Sequence, residues 1–135
     1  MSIATHLAAA VLGAACLHYG PAIVAKVKPE SRKNMELAQR MKLRLVNNLK
    51  DPDSLKLANT FLARGDGKDS QPALCGEANA KNSMGGYVGF RQFVVTEDMG
   101  PWFDDSDDKT KQLAFVNTQL AWCVNRIADI QFPER

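Results

Sequence analysis

Apolar positions recur at helical spacing in two stretches of the chain, and between them they alternate or run together as strands do. Ala38, Met41, Leu45 and Leu49 fall three and four apart, with Leu37 and Val46 beside them. That spacing gives one helical face. Ser31 is a plausible N-cap, so a helix is expected over Ser31–Asn48. Near the other end, Leu113, Val116, Leu120, Cys123, Ile127 and Ile130 follow each other at three, four, three, four and three residues. A second helix is expected from about Asp107 to Ile130, with this stripe as its core face.

The region between the helices reads as sheet. Asp51-Pro52-Asp53-Ser54 ends the first helix, because Pro52 restricts Asp51 to extended geometry. Asp53 or Ser54 can cap a short turn through Leu55-Lys56-Leu57, and Asn59–Ala63 reads as a strand. Gly65 to Pro72 is loop by composition. Two strands are expected over Leu74–Lys81 and Tyr87–Thr96, joined as a β-hairpin by Asn82-Ser83-Met84-Gly85-Gly86, where the Gly pair offers positive φ. In the second strand Tyr87, Gly89, Arg91, Phe93 and Val95 share one face, and Val88, Phe90, Gln92 and Val94 the other. Apolar residues on both faces predict a strand inside the sheet, not at its edge. Met99-Gly100-Pro101-Trp102-Phe103 then forms an aromatic loop ahead of the acidic run Asp104–Asp108.

The N-terminus is different in kind. From Ile3 to Val27 there is no Asp, Glu or Arg, and the only Lys is Lys26. The apolar core Leu7–Leu17 has the length of a signal-peptide h-region, about 7–15 residues, and a second apolar piece, Ala22–Ala25, follows His18-Tyr19-Gly20-Pro21. A bilayer span takes about 20 residues and would have to accommodate His18, Gly20 and Pro21. Residues 1–28 are therefore expected to be a signal peptide or membrane anchor, and residues 29–135 a single domain. Small residues ending at Ala25 make a cleavage site, and Cys16 after Gly13-Ala14-Ala15 approximates a lipoprotein box with Leu12 one place early. The cations follow the apolar run instead of preceding it (Lys26, Lys28, Arg32, Lys33). By the positive-inside rule, that order suits an anchor whose domain faces the cytoplasm. A buried Ala-rich helix of a soluble chain is the third reading.

Composition bounds the function. The chain has 135 residues, 45% apolar and 24% charged, which fits one globular domain. A net charge of +2 excludes a strongly basic nucleic-acid binder, and no nucleic-acid partner is expected. The charge is nonetheless concentrated: between Lys26 and Lys50 eight Lys or Arg face two Glu, a local +6. Such a run is either a solvated helix face or, following an apolar anchor, a surface for anionic headgroups worth about 1 kcal/mol per cation. Membrane contact would then use residues 3–27 and the basic helix 32–50.

The chemistry-bearing residues are few. His6 and His18 are the only histidines, and both lie in the apolar N-terminus, so a Cys-His or Ser-His site has no base in the domain. Two cysteines without His or CxxC spacing make no zinc site. The acidic run fails as a calcium loop: with Asp105 at position 1, Lys109 falls at position 5 and the Gly at position 6 is missing. Ser106 can cap the second helix instead, with Asp107 and Asp108 in its first turn. Neither Gly65-Asp66-Gly67-Lys68 nor Gly85, Gly86 and Gly89 meets a phosphate or dinucleotide fingerprint. No metal and no cofactor is expected. Cys75 and Cys123 form an even pair in the domain. In an exported chain they are most simply a disulfide tying sheet to helix; otherwise they pack as buried thiols. Glu77 and Arg91 are expected either to pair across the hairpin or to belong to a polar binding patch.

Asp51-Pro52-Asp53-Ser54, the run Leu74-Cys75-Gly76-Glu77-Ala78-Asn79-Ala80-Lys81-Asn82-Ser83, and Gly85-Gly86-Tyr87-Val88-Gly89-Phe90 with Phe93 together resemble a pattern in small uncharacterised exported proteins of Gram-negative bacteria and their phages. The resemblance covers about Asp51 to Val95. It implies a periplasmic or envelope location and a partner cysteine for Cys75 near the C-terminus, a role Cys123 could fill.

The sequence therefore predicts an α+β fold: a small antiparallel sheet with a central hairpin, a C-terminal helix packed on one face, and the basic helix either beside it or standing off as a stalk. The expected function is that of an exported or membrane-tethered, non-enzymatic envelope domain that contacts a protein partner. The contact residues expected are Glu77, Asn79, Lys81, Asn82, Tyr87, Arg91, Trp102 and Phe103. Two alternatives stand beside it: a phage-encoded envelope or virion component such as an infection-exclusion factor, and a hydrolase using carboxylates such as Glu77 and Asp104.

Overall fold

The computed structural model describes residues 28–67, 70–104 and 107–133. The apolar N-terminal segment, Cys16 and Ser106 lie outside the described residues. Among the described residues no helix is long and apolar enough to cross a membrane.

Helix α1 (Pro29–Val46) is followed by a 3₁₀ turn (Pro52–Ser54), then strands β1 (Lys56–Arg64), β2 (Pro72–Asn79), β3 (Arg91–Thr96) and β4 (Trp102–Phe103), helix α2 (Lys109–Trp122) and strand β5 (Asn125–Asp129). The strands form one antiparallel sheet in the order β4-β3-β2-β1-β5. The predicted α+β fold and its hairpin are present: β2 is the middle strand and pairs with β3 from Ala73↔Thr96 to Ala78↔Arg91.

The alternation along β3 explains the layering. Phe93 and Val95 point to one face, where Ala38, Met41 and Leu45 of α1 complete a core with Leu62, Leu74, Ala78 and Ile130. Val94 points to the other, where Ala63, Ala73 and Cys75 pack against Phe115 of α2. The two helices thus cover opposite faces of the sheet, and α1 is no free stalk. Arg40 and Arg44 help hold it: Arg40 pairs with Glu97, and the Arg44 Nε donates to the Gly100 carbonyl at 3.2 Å. Those two cations of the basic run engage the β3–β4 loop. α1 begins with Pro29 at its first position and no side-chain cap, so Ser31 does not serve as the N-cap.

The C-terminal helix departs from expectation. It ends at Trp122, and the chain reverses into β5, which pairs with the outer edge of β1. Its cap is Asp108, which accepts from the Thr110 and Lys111 amides. The stripe assigned to the core turns outward: Leu113 and Leu120 are 63% and 65% exposed, and Phe115 only 4%. Two apolar faces competed for the sheet. The face carrying Phe115 and Trp122 buries more area per residue than one of Leu and Val. Cys123, one residue past the end of the helix, is bonded to Cys75 of β2 at a Cα separation of 6.2 Å.

The hairpin's second strand is shorter than expected. Residues 80–90 leave the sheet as an arm with one isolated bridge, Lys81↔Tyr87, and regular pairing resumes at Arg91. In the middle of β2, Gly76 admits the bulged part of β1: a Cβ there would stand 2.9 Å from Thr60 Cγ2 and 3.1 Å from the Ala58 carbonyl oxygen.

Two outcomes follow in denaturant unfolding. Phe115→Ala is expected to cost about 3–5 kcal/mol, whereas Leu120→Ala stays within about 0.5 kcal/mol; the reverse order would restore the face inferred from periodicity. Reduction of the disulfide, which closes a 48-residue separation, is expected to lower stability by about 4 kcal/mol.

Candidate functional site

The expected contact residues do not form one patch. Glu77 and Arg91 face opposite sides of the sheet, because the register sets Glu77 against Gln92 and Arg91 against Ala78. The cross-strand pair is therefore not made. Glu77 instead accepts from Asn59 Nδ2 at 3.0 Å. Asn59 sits at the β1 bulge with φ 51°, in the left-handed region, which Asn tolerates better than most residues. Gln92 accepts from Gln119 of α2 at 3.0 Å. Asp104 continues the row, its amide donating to the Gln92 carbonyl at 2.9 Å.

This line of Asn59, Glu77, Gln92 and Asp104 brings the two carboxylates considered for hydrolysis onto one face. They lie two strands apart, about 10 Å at the usual strand spacing. Gln92, hydrogen-bonded to Gln119, stands between them in the row. The row reads as the polar margin of the α2 core.

The arm 80–90 is a built structure. Asn82 Oδ1 accepts from the Met84 and Gly86 amides at 3.0 and 3.1 Å, and its carbonyl accepts from Gly85, whose φ is 80°. Asn79 Oδ1 accepts from the Gly89 amide at 3.1 Å, which ties the returning limb to the end of β2. The Lys81 amide donates to Ser54 Oγ at 2.8 Å, fastening the base of the arm to the 3₁₀ turn. Asn79, Asn82 and the Lys81 backbone thus shape the arm. Its side chains face outward: Met84 is 93% exposed, and Tyr87, Val88 and Phe90 are exposed too. Tyr87 lies beneath two cations, with Lys56 Nζ 4.6 Å and Lys81 Nζ 5.6 Å from its ring centre.

Trp102 and Phe103 are half-buried, and alternation sends them to opposite faces. Trp102 packs with the α2 core and Phe103 with the α1 core. Beneath Tyr87 and Phe90 a groove of about 990 Å³ runs along Lys56–Thr60, the part of β1 beyond the end of β5, and is closed at its far side by Ile130 and Phe132.

A second exposed apolar surface lies on α2. Leu113, Val116 and Leu120 make a stripe down the outside of α2, and Val124 and Ile127 extend it onto the edge strand β5. No charged residue occurs from Gln112 to Asn125. Sequence reasoning assigned this stripe to the core. The signal that it has two apolar faces was the second set, Phe115 and Trp122, at positions between the first. Among the described residues no group of His, Cys, Asp and Glu could hold a metal ion. No protein-family model, curated protein or solved structure matches the chain.

Proposed function

We propose that this protein is an exported or membrane-tethered, non-enzymatic domain of the cell envelope that docks a protein partner on the outer face of α2. The observation that carries the reading is the uncharged, exposed stripe of Leu113, Val116 and Leu120 with Val124 and Ile127 beside it. A soluble domain ordinarily interrupts such a face with charge, and contiguous exposed apolar surface marks interaction sites. The partner face is rigid, because the disulfide pins the C-terminal end of α2 to the middle strand and Asp108 caps its start. Apolar contact on a preordered helix loses little entropy on binding.

Export is supported by two features. One is the charge-poor apolar run from Ile3 to Val27. The other is the Cys75–Cys123 bond, since stable disulfides persist in oxidising compartments. The non-enzymatic reading rests on the confinement of histidine to positions 6 and 18 and on Gln92 standing between Glu77 and Asp104.

Two measurements test it. Protein taken from its host directly into acid and alkylating reagent is expected to leave Cys75 and Cys123 unmodified until a reductant is added; immediate labelling of both would remove the case for export. A photo-crosslinking amino acid in place of Leu120 is expected to give one discrete adduct with an envelope protein. Val116→Lys, which should change stability by no more than about 0.5 kcal/mol, is expected to abolish that adduct. An adduct that survives Val116→Lys, or none at all, would refute docking on this face.

A further inference from the structure

Arg91, the first residue of β3, is half-buried, and among the described residues its guanidinium has no hydrogen-bond or ion-pair partner. It lines a cleft of about 180 Å³ between the end of α1, the base of the arm and β4. Lys50 and Lys81 line the same cleft, and no carboxylate does. The rest of the lining is chiefly apolar, with Leu49, Ala78, Val88 and Phe103 as its main surfaces.

Arg91 and Lys50 bring two cations to one cavity, and an apolar wall intensifies the field between them by excluding water. An arrangement of this kind is stabilised by an anion. The Arg fork matches the geometry of a phosphate or carboxylate, while Lys50 acts as a point charge at the rim. A bare anion would leave the apolar surfaces unused. At about 30 Å³ per water-sized group, the cleft accommodates about six such groups, a charged head and the first carbons of a chain. It is smaller than the roughly 300–1,000 Å³ of a site that encloses a whole drug-sized ligand, so the remainder of the chain would leave through its open mouth.

We propose that this cleft binds the anionic head and proximal carbons of a single-chain amphiphile, with Arg91 holding the head, Lys50 flanking it, and Leu49, Val88 and Phe103 against the carbons. The site is independent of the α2 face, which lies on the other side of the sheet: Arg91 shares its face with Ala78 of the α1 core.

Hexyl phosphate is the probe, titrated into the full disulfide-bonded chain in a non-ionic detergent while the backbone amide resonances of Ala78, Val88, Arg91 and Phe103 are followed. Saturable shifts at these positions are expected, with inorganic phosphate and hexanol each binding at least tenfold more weakly. Arg91→Gln is expected to weaken hexyl phosphate tenfold or more, and Arg32→Gln, at the far end of α1, to leave it within twofold. Lys50→Gln, at an exposed position that folding does not require, is expected to weaken it threefold and keeps the test decisive should the Arg91 variant unfold. Equal affinity for inorganic phosphate would reduce the cleft to a simple anion site and overturn the proposal. So would equal affinity for hexanol, absence of saturable shifts, or equal weakening by Arg32→Gln.

Discussion

Cys75 lies in the middle strand of the sheet, and Cys123 stands where α2 stops, so the bond between them joins the most buried element to a helix end. Most of the C-terminal half depends on that link. It holds the C-terminal end of α2 against the sheet. It also fixes where the helix stops, since a further turn would carry the chain away from β2. The reversal into β5 follows, and β5 then pairs with the last four residues of β1. Which of the two apolar faces of α2 meets the sheet is decided by Phe115 and Trp122, which bury more area than Leu and Val.

The sheet is fully covered along its middle and open at its ends, and the candidate functional features lie at those openings. β2 and β3 are sandwiched between α1 and α2, which is why Leu74, Phe93, Val94 and Val95 are all buried. Beyond Arg91 the strands no longer carry a helix on either side. There the hairpin lifts off as an arm held by Asn79 and Asn82, and its apolar side chains stay exposed. The cationic cleft lies at the base of this arm, where α1 has ended. The groove lies where β5 has ended and half of β1 has no strand outside it. Each feature is a place where one layer stops before the next.

The basic run of α1 divides along similar lines. Arg40 and Arg44 are drawn to Glu97 and the Gly100 carbonyl on the β3–β4 loop, and Lys42 lies 4.5 Å from the Phe132 ring centre. These contacts orient α1 on its sheet face. Arg32 and Lys33 remain exposed on its first turns, nearest the apolar N-terminal segment. A charge run that reads in sequence as one face therefore separates into cations that hold the fold and cations that meet solvent.

Local patterns were legible where a single face was at stake. The spacing of Ala38, Met41 and Leu45 gave the buried face of α1, because Leu43 on the opposite side has too few apolar companions to make a second face. The alternation of Phe93, Val94 and Val95 gave a strand buried on both sides. Asn82 through Gly86 gave the turn, because backbone φ and side-chain acceptors act within a few residues. The cysteine pair was legible as one of two readings. The outward orientation of Leu113, Val116 and Leu120 was not, nor was the conversion of Asn125–Asp129 from helix to strand. Both depend on partners distant in sequence: the sheet face that receives Phe115, and the vacant edge of β1 that β5 fills. Arg91 and Glu77 parted for a similar reason: which face each occupies is set by a register of pairing between strands, which no residue's own neighbours in sequence determine.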